Sequence, residues 1–203
     1  MSAALLWKHR ARRARYWKPI QTGIECDDDT ATVQAMGGYD ADCVLDAGVR
    51  LERPLSPHRA AELAGTTIDL ASVSRLPGSP TAAATAWVVE GAGGLLVPVN
   101  GSALIADLIV DLALPAVVVA RSTLGTINHT LLTLEAARGR GISVAGVVMV
   151  GPRDEANRAA IERWGRTTVV GEMPIFEPFG PEALRAWADA SLDPHGCLNL
   201  LFE

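Results

Sequence analysis

The chain has 203 residues, 49% of them hydrophobic and 20% charged, and a formal net charge of -5. That is enough chain for one domain with a sizeable core, and the acidic balance argues against a general nucleic-acid partner, which needs clustered Lys and Arg. Cys26, Cys43 and Cys197 are widely spaced with no C-x-x-C pair, which disfavours a disulfide framework and a zinc site and fits a reducing cytoplasm.

In chain order, the first element is a helix expected over Ser2 to Arg13, apolar only at its beginning. Its basic run, Lys8, His9, Arg10, Arg12, Arg13 and Arg15, reads as a solvated face in preference to a nucleic-acid or membrane patch. No apolar stretch reaches the roughly 18 residues that span a bilayer. The basic residues follow the apolar start instead of preceding it, unlike a secretory signal. A cytoplasmic location is expected.

Next comes Tyr16-Trp17-Lys18-Pro19-Ile20-Gln21-Thr22-Gly23. Pro19 cannot continue a central strand, so Lys18 is expected at a strand end, where its point charge suits a carboxylate, carbamate or phosphate. Thr22 adds a hydroxyl beside it. Asp27, Asp28 and Asp29 precede a helical pattern and suit its N-terminus, but three adjacent carboxylates exceed what a cap needs, and one is assigned to a metal ion. Ser56-Pro57-His58 has the form of a helix start, with no catalytic role for His58.

Consecutive apolar, β-branched runs mark strands buried on both faces. They fall at Ala86 to Val89, Ala116 to Ala120, Val144 to Val150 and, more weakly, Thr168 to Val170. Helical patterns lie between them, at Asn128 to Arg138 and Asn157 to Trp164. This alternation predicts a single α/β domain over the whole chain: a doubly wound, mostly parallel sheet with helices on both faces. Ligands in such sheets bind beyond the carboxyl ends of the strands. There Glu90 is followed by Gly91, Ala92, Gly93 and Gly94, an acid able to hold magnesium beside a backbone able to close around phosphates. Leu124-Gly125-Thr126-Ile127-Asn128-His129 follows the next strand and opens a helix whose N-terminus suits an anion.

Taken in order, five segments resemble the dethiobiotin synthetase family of the P-loop NTPase superfamily. They are Tyr16 to Gly23, Asp29 in its acidic run, Ser56 to His58, Glu90 to Pro98, and Leu124 to His129. The resemblance implies an ATP- and magnesium-dependent cytoplasmic ligase that closes the ureido ring of dethiobiotin on diaminopelargonate and carbon dioxide (or bicarbonate). It implies that Lys18 contacts the carbamate and the transferring phosphoryl group with Thr22 close by. Asp29 and Glu90 would hold Mg2+, with Glu90 to Gly94 at the nucleotide phosphates. A homodimer is implied, in which Gly125, Thr126 and Asn128 bind the distal carboxylate of substrate in the neighbouring subunit.

The sequence departs from the family at two places. No G-x-x-x-x-G-K-T phosphate loop occurs in it, so the backbone nest and its lysine are not supplied by these residues. The expectation is a start truncated by about 20 residues, a strand plus a loop; a short form that binds diamine or a partner without catalysis is the alternative. Where the family has an adenine-reading Asn, this chain aligns Val150, followed by Gly151 and Pro152. A cobyrinate-amidase-like synthase, activating a carboxylate, is the further alternative.

Overall fold

The computed structural model describes residues 1–39, 41–76 and 86–202. The first helix, α1 (Ser2–Lys8), buries Ser2 to Leu6 and stops earlier than the sequence pattern suggests. A 3-10 turn at Arg10–Arg12 follows, closed by Arg13 at φ 53°. The run of buried residues ends at Leu6, and Arg10 to Arg12 bury none, so little packing is left to hold a longer helix. The basic run is nonetheless not simply solvated. Arg10 pairs with Asp189 at 3.0 Å, and its guanidinium lies over the Trp7 ring. Lys8 donates to the Asp189 carbonyl at 3.2 Å. These contacts fasten α1 to the C-terminal helix.

The chain then runs through β1 (Arg15–Trp17), β2 (Ile20–Thr22), α2 (Asp29–Gly37), β3 (Val44–Leu45), β4 (Val49–Leu51), α3 (Pro57–Leu63) and α4 (Leu70–Ser74). It continues with β5 (Trp87–Val89), α5 (Ile105–Leu112), β6 (Ala116–Arg121), α6 (Thr126–Gly139), β7 (Val144–Val150), α7 (Glu155–Gly165), β8 (Val169–Met173) and α8 (Pro181–Ser191). Ser56 and Pro57 open α3 as the sequence suggests, and His58 is exposed on it. The four apolar runs become β5 to β8, and the two helical patterns become α6 and α7, each within a few residues of its expected ends.

The fold is α/β, and every ladder between named strands is parallel. The strands form three pieces among the described residues: β3-β1-β5, β2-β4 and β6-β7-β8. β1 breaks at Lys18-Pro19 because proline has no N–H to give a ladder. The chain then leaves the first piece and resumes as β2 beside β4. That switch needs a close approach. The Pro19 carbonyl accepts from Val49 N–H at 2.9 Å, and a Cβ on Gly48, at φ +140°, would lie 2.3 Å from the same oxygen. Only glycine fits there.

Helices cover both faces of the β3-β1-β5 piece. Ala3, Leu5 and Leu6 of α1 pack with Tyr16 and Val88 on one face, a core that continues to Val148 and Trp187. On the other face, Ile105 and Leu108 of α5 pack with Trp17, Trp87 and Val89. A third cluster joins Leu134 of α6 and Ile161 of α7 to Val147, Met149 and Val169. No helix among the described residues is long and apolar enough to cross a membrane.

Candidate active site

Lys18 stands one residue past the end of β1, and Glu90 one residue past the end of β5, the strand paired with it. Adjacent parallel strands thus deliver an ammonium and a carboxylate to the same edge of the sheet. Lys18 Nζ lies 2.9 Å from Glu90 Oε1 and 2.8 Å from Asp29 Oδ2. It also donates to the Gly91 carbonyl at 3.5 Å. An ammonium has three N–H donors, so these partners use them all. The Lys18 side chain is only 6% exposed, against 40% for Asp29 and 30% for Glu90. A buried cation therefore sits behind two carboxylates that still reach solvent.

The acidic run before α2 divides its labour. Asp28 is the N-cap, its carboxylate accepting from the N–H groups of Thr30 and Ala31 at 2.9 and 3.1 Å. Asp29, the first helical residue, is free of that task and turns to Lys18. Capping and site formation are both present, on neighbouring residues.

Glu90 has a second set of partners on its other oxygen. Oε2 accepts from Ser2 Oγ at 2.5 Å and from the Tyr16 hydroxyl at 3.2 Å. Burial pushes the Glu90 carboxyl up, but the Lys18 ammonium and the hydrogen bonds from Ser2 and Lys18 outweigh it, holding the group below the ordinary carboxylate range. Tyr16 is driven the opposite way. Burial and then the negative charge of Glu90 hold its phenol far above the usual range, so it stays a donor.

Behind the cluster lies Arg50, opposite Gln21 in the β2-β4 ladder. It donates to the Lys18 carbonyl at 3.1 Å and to Gln21 Oε1 at 3.3 Å, and pairs with Asp46 at 2.7 Å. The guanidinium fixes the backbone of the lysine, not its head group. Sequence reasoning missed Ser2, Tyr16, Gln21 and Arg50. For Tyr16 a signal existed: residues two apart on a strand share a face, so Tyr16 points the way Lys18 does. For Arg50 and Ser2 none existed, because their partners are distant in the chain.

The remaining expected residues are placed less directly. Ala92 is buried, and Gly93 turns the loop at φ +82°, where a Cβ would meet Val97 at 3.1 Å. Gly94 has open space around its Cα. Thr22 ends β2, half-buried, and among the described residues no hydrogen bond joins its hydroxyl to Lys18. Gly125, at φ +91°, is the N-cap of α6 on the other sheet piece. Thr126 is 1% exposed, and its hydroxyl donates back to the Arg121 carbonyl. Gly125 and Asn128 are exposed. No hydrogen bond or ion pair among the described residues links this turn to the lysine cluster. Val150 ends β7 between Arg121 and Met173 and offers no hydrogen-bonding side chain.

Asp29 and Glu90 are hard oxygen donors on one cluster, and among the described residues no group of three or more His, Cys, Asp or Glu gathers to hold an ion. That donor set suits magnesium, which takes one or two carboxylates and completes its shell with waters and substrate phosphates. It does not suit a metal needing a full protein cage.

The profile of an AAA domain family matches residues 1–183. The chain is 41% identical over 186 residues to the ATP-dependent dethiobiotin synthetase BioD of Rhodopseudomonas palustris, covering 92% of this chain and 85% of that protein. It is 48% identical over 167 residues to the protein of the same name from Paramagnetospirillum magneticum, covering 82% of this chain and 78% of the relative. It is also 47% identical over 180 residues to the biotin biosynthesis bifunctional protein BioCD of Bordetella avium, 88% of this chain but only 38% of that longer protein. With the parallel α/β fold and the lysine–carboxylate cluster at the strand ends, these likenesses place the chain in the dethiobiotin synthetase family of the P-loop NTPase superfamily.

Proposed function

We propose that the chain carries the lysine–carboxylate centre of an ATP-dependent ligase that closes the dethiobiotin ring from diaminopelargonate and carbon dioxide. The observation that carries this reading is the nearly buried Lys18 ammonium held between Asp29 and Glu90.

The chemistry proceeds in three balanced steps. One substrate amine adds to carbon dioxide and loses a proton, giving a carbamate. A carbamate oxygen attacks the γ-phosphorus of ATP, releasing ADP and forming a carbamic–phosphoric anhydride. The second amine then attacks the anhydride carbon, closes the ring and expels phosphate. Negative oxygen charge is present at each stage, so the protein's contribution is positioning and neutralisation.

Lys18 supplies a fixed positive charge for carbamate and phosphoryl oxygens, and its rigidity comes from Arg50 on its carbonyl and Glu90 on its head group. Thr22 lies three residues beyond the Lys18-Pro19 break and offers a hydroxyl to the same substrate oxygens. Asp29 and Glu90 would hold Mg2+, whose charge would screen the ATP phosphates. Gly91, Ala92, Gly93 and Gly94 let main-chain N–H groups approach those phosphates without side-chain obstruction. With the Thr126 hydroxyl already committed to Arg121, the exposed Gly125 amide and Asn128 side chain are the donors left for a substrate carboxylate, reached from a second subunit of a homodimer.

The test is incorporation of labelled bicarbonate into diaminopelargonate, with ATP and magnesium present. It is run on the 203-residue chain and on the chain preceded by a strand and a G-x-x-x-x-G-K-T loop. Product from the loop-bearing form supports the ligase, and its loss in the Lys18→Met variant assigns the ammonium. A loop-bearing form that is folded and makes no product ends this reading.

A further inference from the structure

Lys18 and Glu90 meet because paired strands deliver them. The Glu90 N–H donates to the Trp17 carbonyl at 2.9 Å, so β1 and β5 keep their register to the last residue before the cluster. Asp29 has no such support. It comes from the turn before α2, and among the described residues no main-chain hydrogen bond ties Asp27, Asp28, Asp29 or Thr30 to β1. Side chains must hold that turn against the lysine.

The first of them is a buried amide. Gln21, in the middle of β2, is fully buried. A buried amide is costly unless its polar atoms are paired, and an apolar side chain would fill the same space without that demand. Gln21 is paired at both ends. Its Nε2 donates to the Asp27 carbonyl at 3.3 Å, and its Oε1 accepts from the Thr30 hydroxyl at 3.5 Å. One side chain therefore fastens the acidic turn on either side of Asp29.

Arg50 joins this amide to the lysine. It stands opposite Gln21 in the β2-β4 ladder. Its Nη1 donates to Gln21 Oε1 at 3.3 Å and to the Lys18 carbonyl at 3.1 Å. Its Nη2 donates to Thr30 Oγ1 at 3.4 Å and pairs with Asp46 at 2.7 Å. The Asp46 side chain is 79% exposed, so that pair adds little. The inward contacts differ, because Gln21 and Thr30 are both buried and the guanidinium holds its donors in a rigid planar fork. One flat group thus spans from the lysine backbone to the start of α2.

We infer that Gln21, Thr30 and Arg50 are positioning residues, a clamp that sets the Asp29 carboxylate against Lys18, while Glu90 reaches the lysine without it. The consequence for chemistry rests on the ligase reading. Magnesium demands near-ideal octahedral geometry, so a carboxylate on a loose turn would bind it less well than one held in place.

The experiment uses the 203-residue chain labelled with nitrogen and carbon isotopes. Scalar couplings across hydrogen bonds are read by NMR from Lys18 Nζ to the carboxyl carbons of Asp29 and Glu90. In Gln21→Leu, Arg50→Leu and Thr30→Val, the coupling to Asp29 should be lost and the coupling to Glu90 kept. A merely structural role would not separate the two. Thr30→Val keeps the shape of its side chain and decides the matter where a larger change prevents folding. In the loop-bearing form, Gln21→Leu and Thr30→Val should also raise the magnesium needed for half the maximal rate by about tenfold. Retention of the Asp29 coupling in the folded variants, loss of both couplings together, or an unchanged magnesium requirement overturns the inference. A loop-bearing chain without any activity counts against the ligase reading alone, and the couplings then decide the clamp.

Discussion

The two halves of this molecule spend their sequence differently. In the β3-β1-β5 piece the strands are two or three residues long, and each of β1 and β5 is followed at once by a charged residue that pairs with the other's. In the β6-β7-β8 piece the strands run to six, seven and five residues around Val147, Met149 and Val169, and its charged groups tie strand to helix: Arg158 of α7 pairs with Glu172 of β8, and Glu162 accepts from the Val169 N–H. Short strands bring many chain ends, and therefore many side chains with polar work, to one edge. The first piece gathers Lys18, Asp29 and Glu90 at one edge, and the second is built around an apolar cluster.

The largest effect that would test this contrast is a cavity in the scaffold. Ile161→Ala, at a fully buried position between α7 and β7, should lower stability by about 2–5 kcal/mol. Denaturant unfolding measures it, and the depressed titration of Glu90 should survive unchanged in the folded variant. If that titration moves, the halves are not separable in this way.

Lys18→Met should act in the opposite sense, on the charge cluster first. Removing the ammonium leaves Glu90 and Asp29 without their shared partner. Loss of one member of a buried pair costs about 3–5 kcal/mol, and the 40% exposure of Asp29 discounts this to roughly 1–3 kcal/mol. The Glu90 carboxyl should then rise from its depressed position, visible by carboxyl-carbon NMR. An unchanged Glu90 would mean that Lys18 is not what holds it down.

Glu90→Gln sharpens the same point through pH. The folded-state carboxyl lies below its ordinary value of 4.5, so it contributes stability that is present above that value and lost as pH falls through the folded one. The wild-type chain should lose stability across that acidic window, and the Gln variant should show a shallower decline there. Parallel acid profiles would remove Glu90 from the account. The smallest effect belongs to the fastening between α1 and α8. Arg10 and Asp189 are half-exposed, and Arg10→Ala should lower stability by under about 1 kcal/mol, with no change in the Glu90 titration.

The sequence was legible where one physical signal dominated. β6 and β7 are continuous apolar runs, and α6 and α7 carry a helical repeat between glycines, so burial alone identifies them. The lysine cluster was half legible. Lys18, Asp29 and Glu90 each stood beside a break signal: Pro19, a helix start, or a glycine run. Their meeting could be argued because ligands gather at strand ends. What could not be read was the support. Arg50 grips the Lys18 carbonyl across 32 positions, and Ser2 reaches Glu90 across 88, through backbone geometry that no local pattern encodes. The length of α1 was overestimated for a related reason, since charged residues keep a helical periodicity going after the apolar contact that stabilises it has ended.

Gly48 carries a consequence for anyone who alters this protein. It is thirty residues from Lys18 in sequence, so a survey of the lysine cluster would pass it over. Yet a methyl group there would press on the carbonyl of the residue that follows Lys18. A screen of all substitutions by folded yield should therefore find intolerance at this remote turn, arising from displaced backbone and not from missing charge.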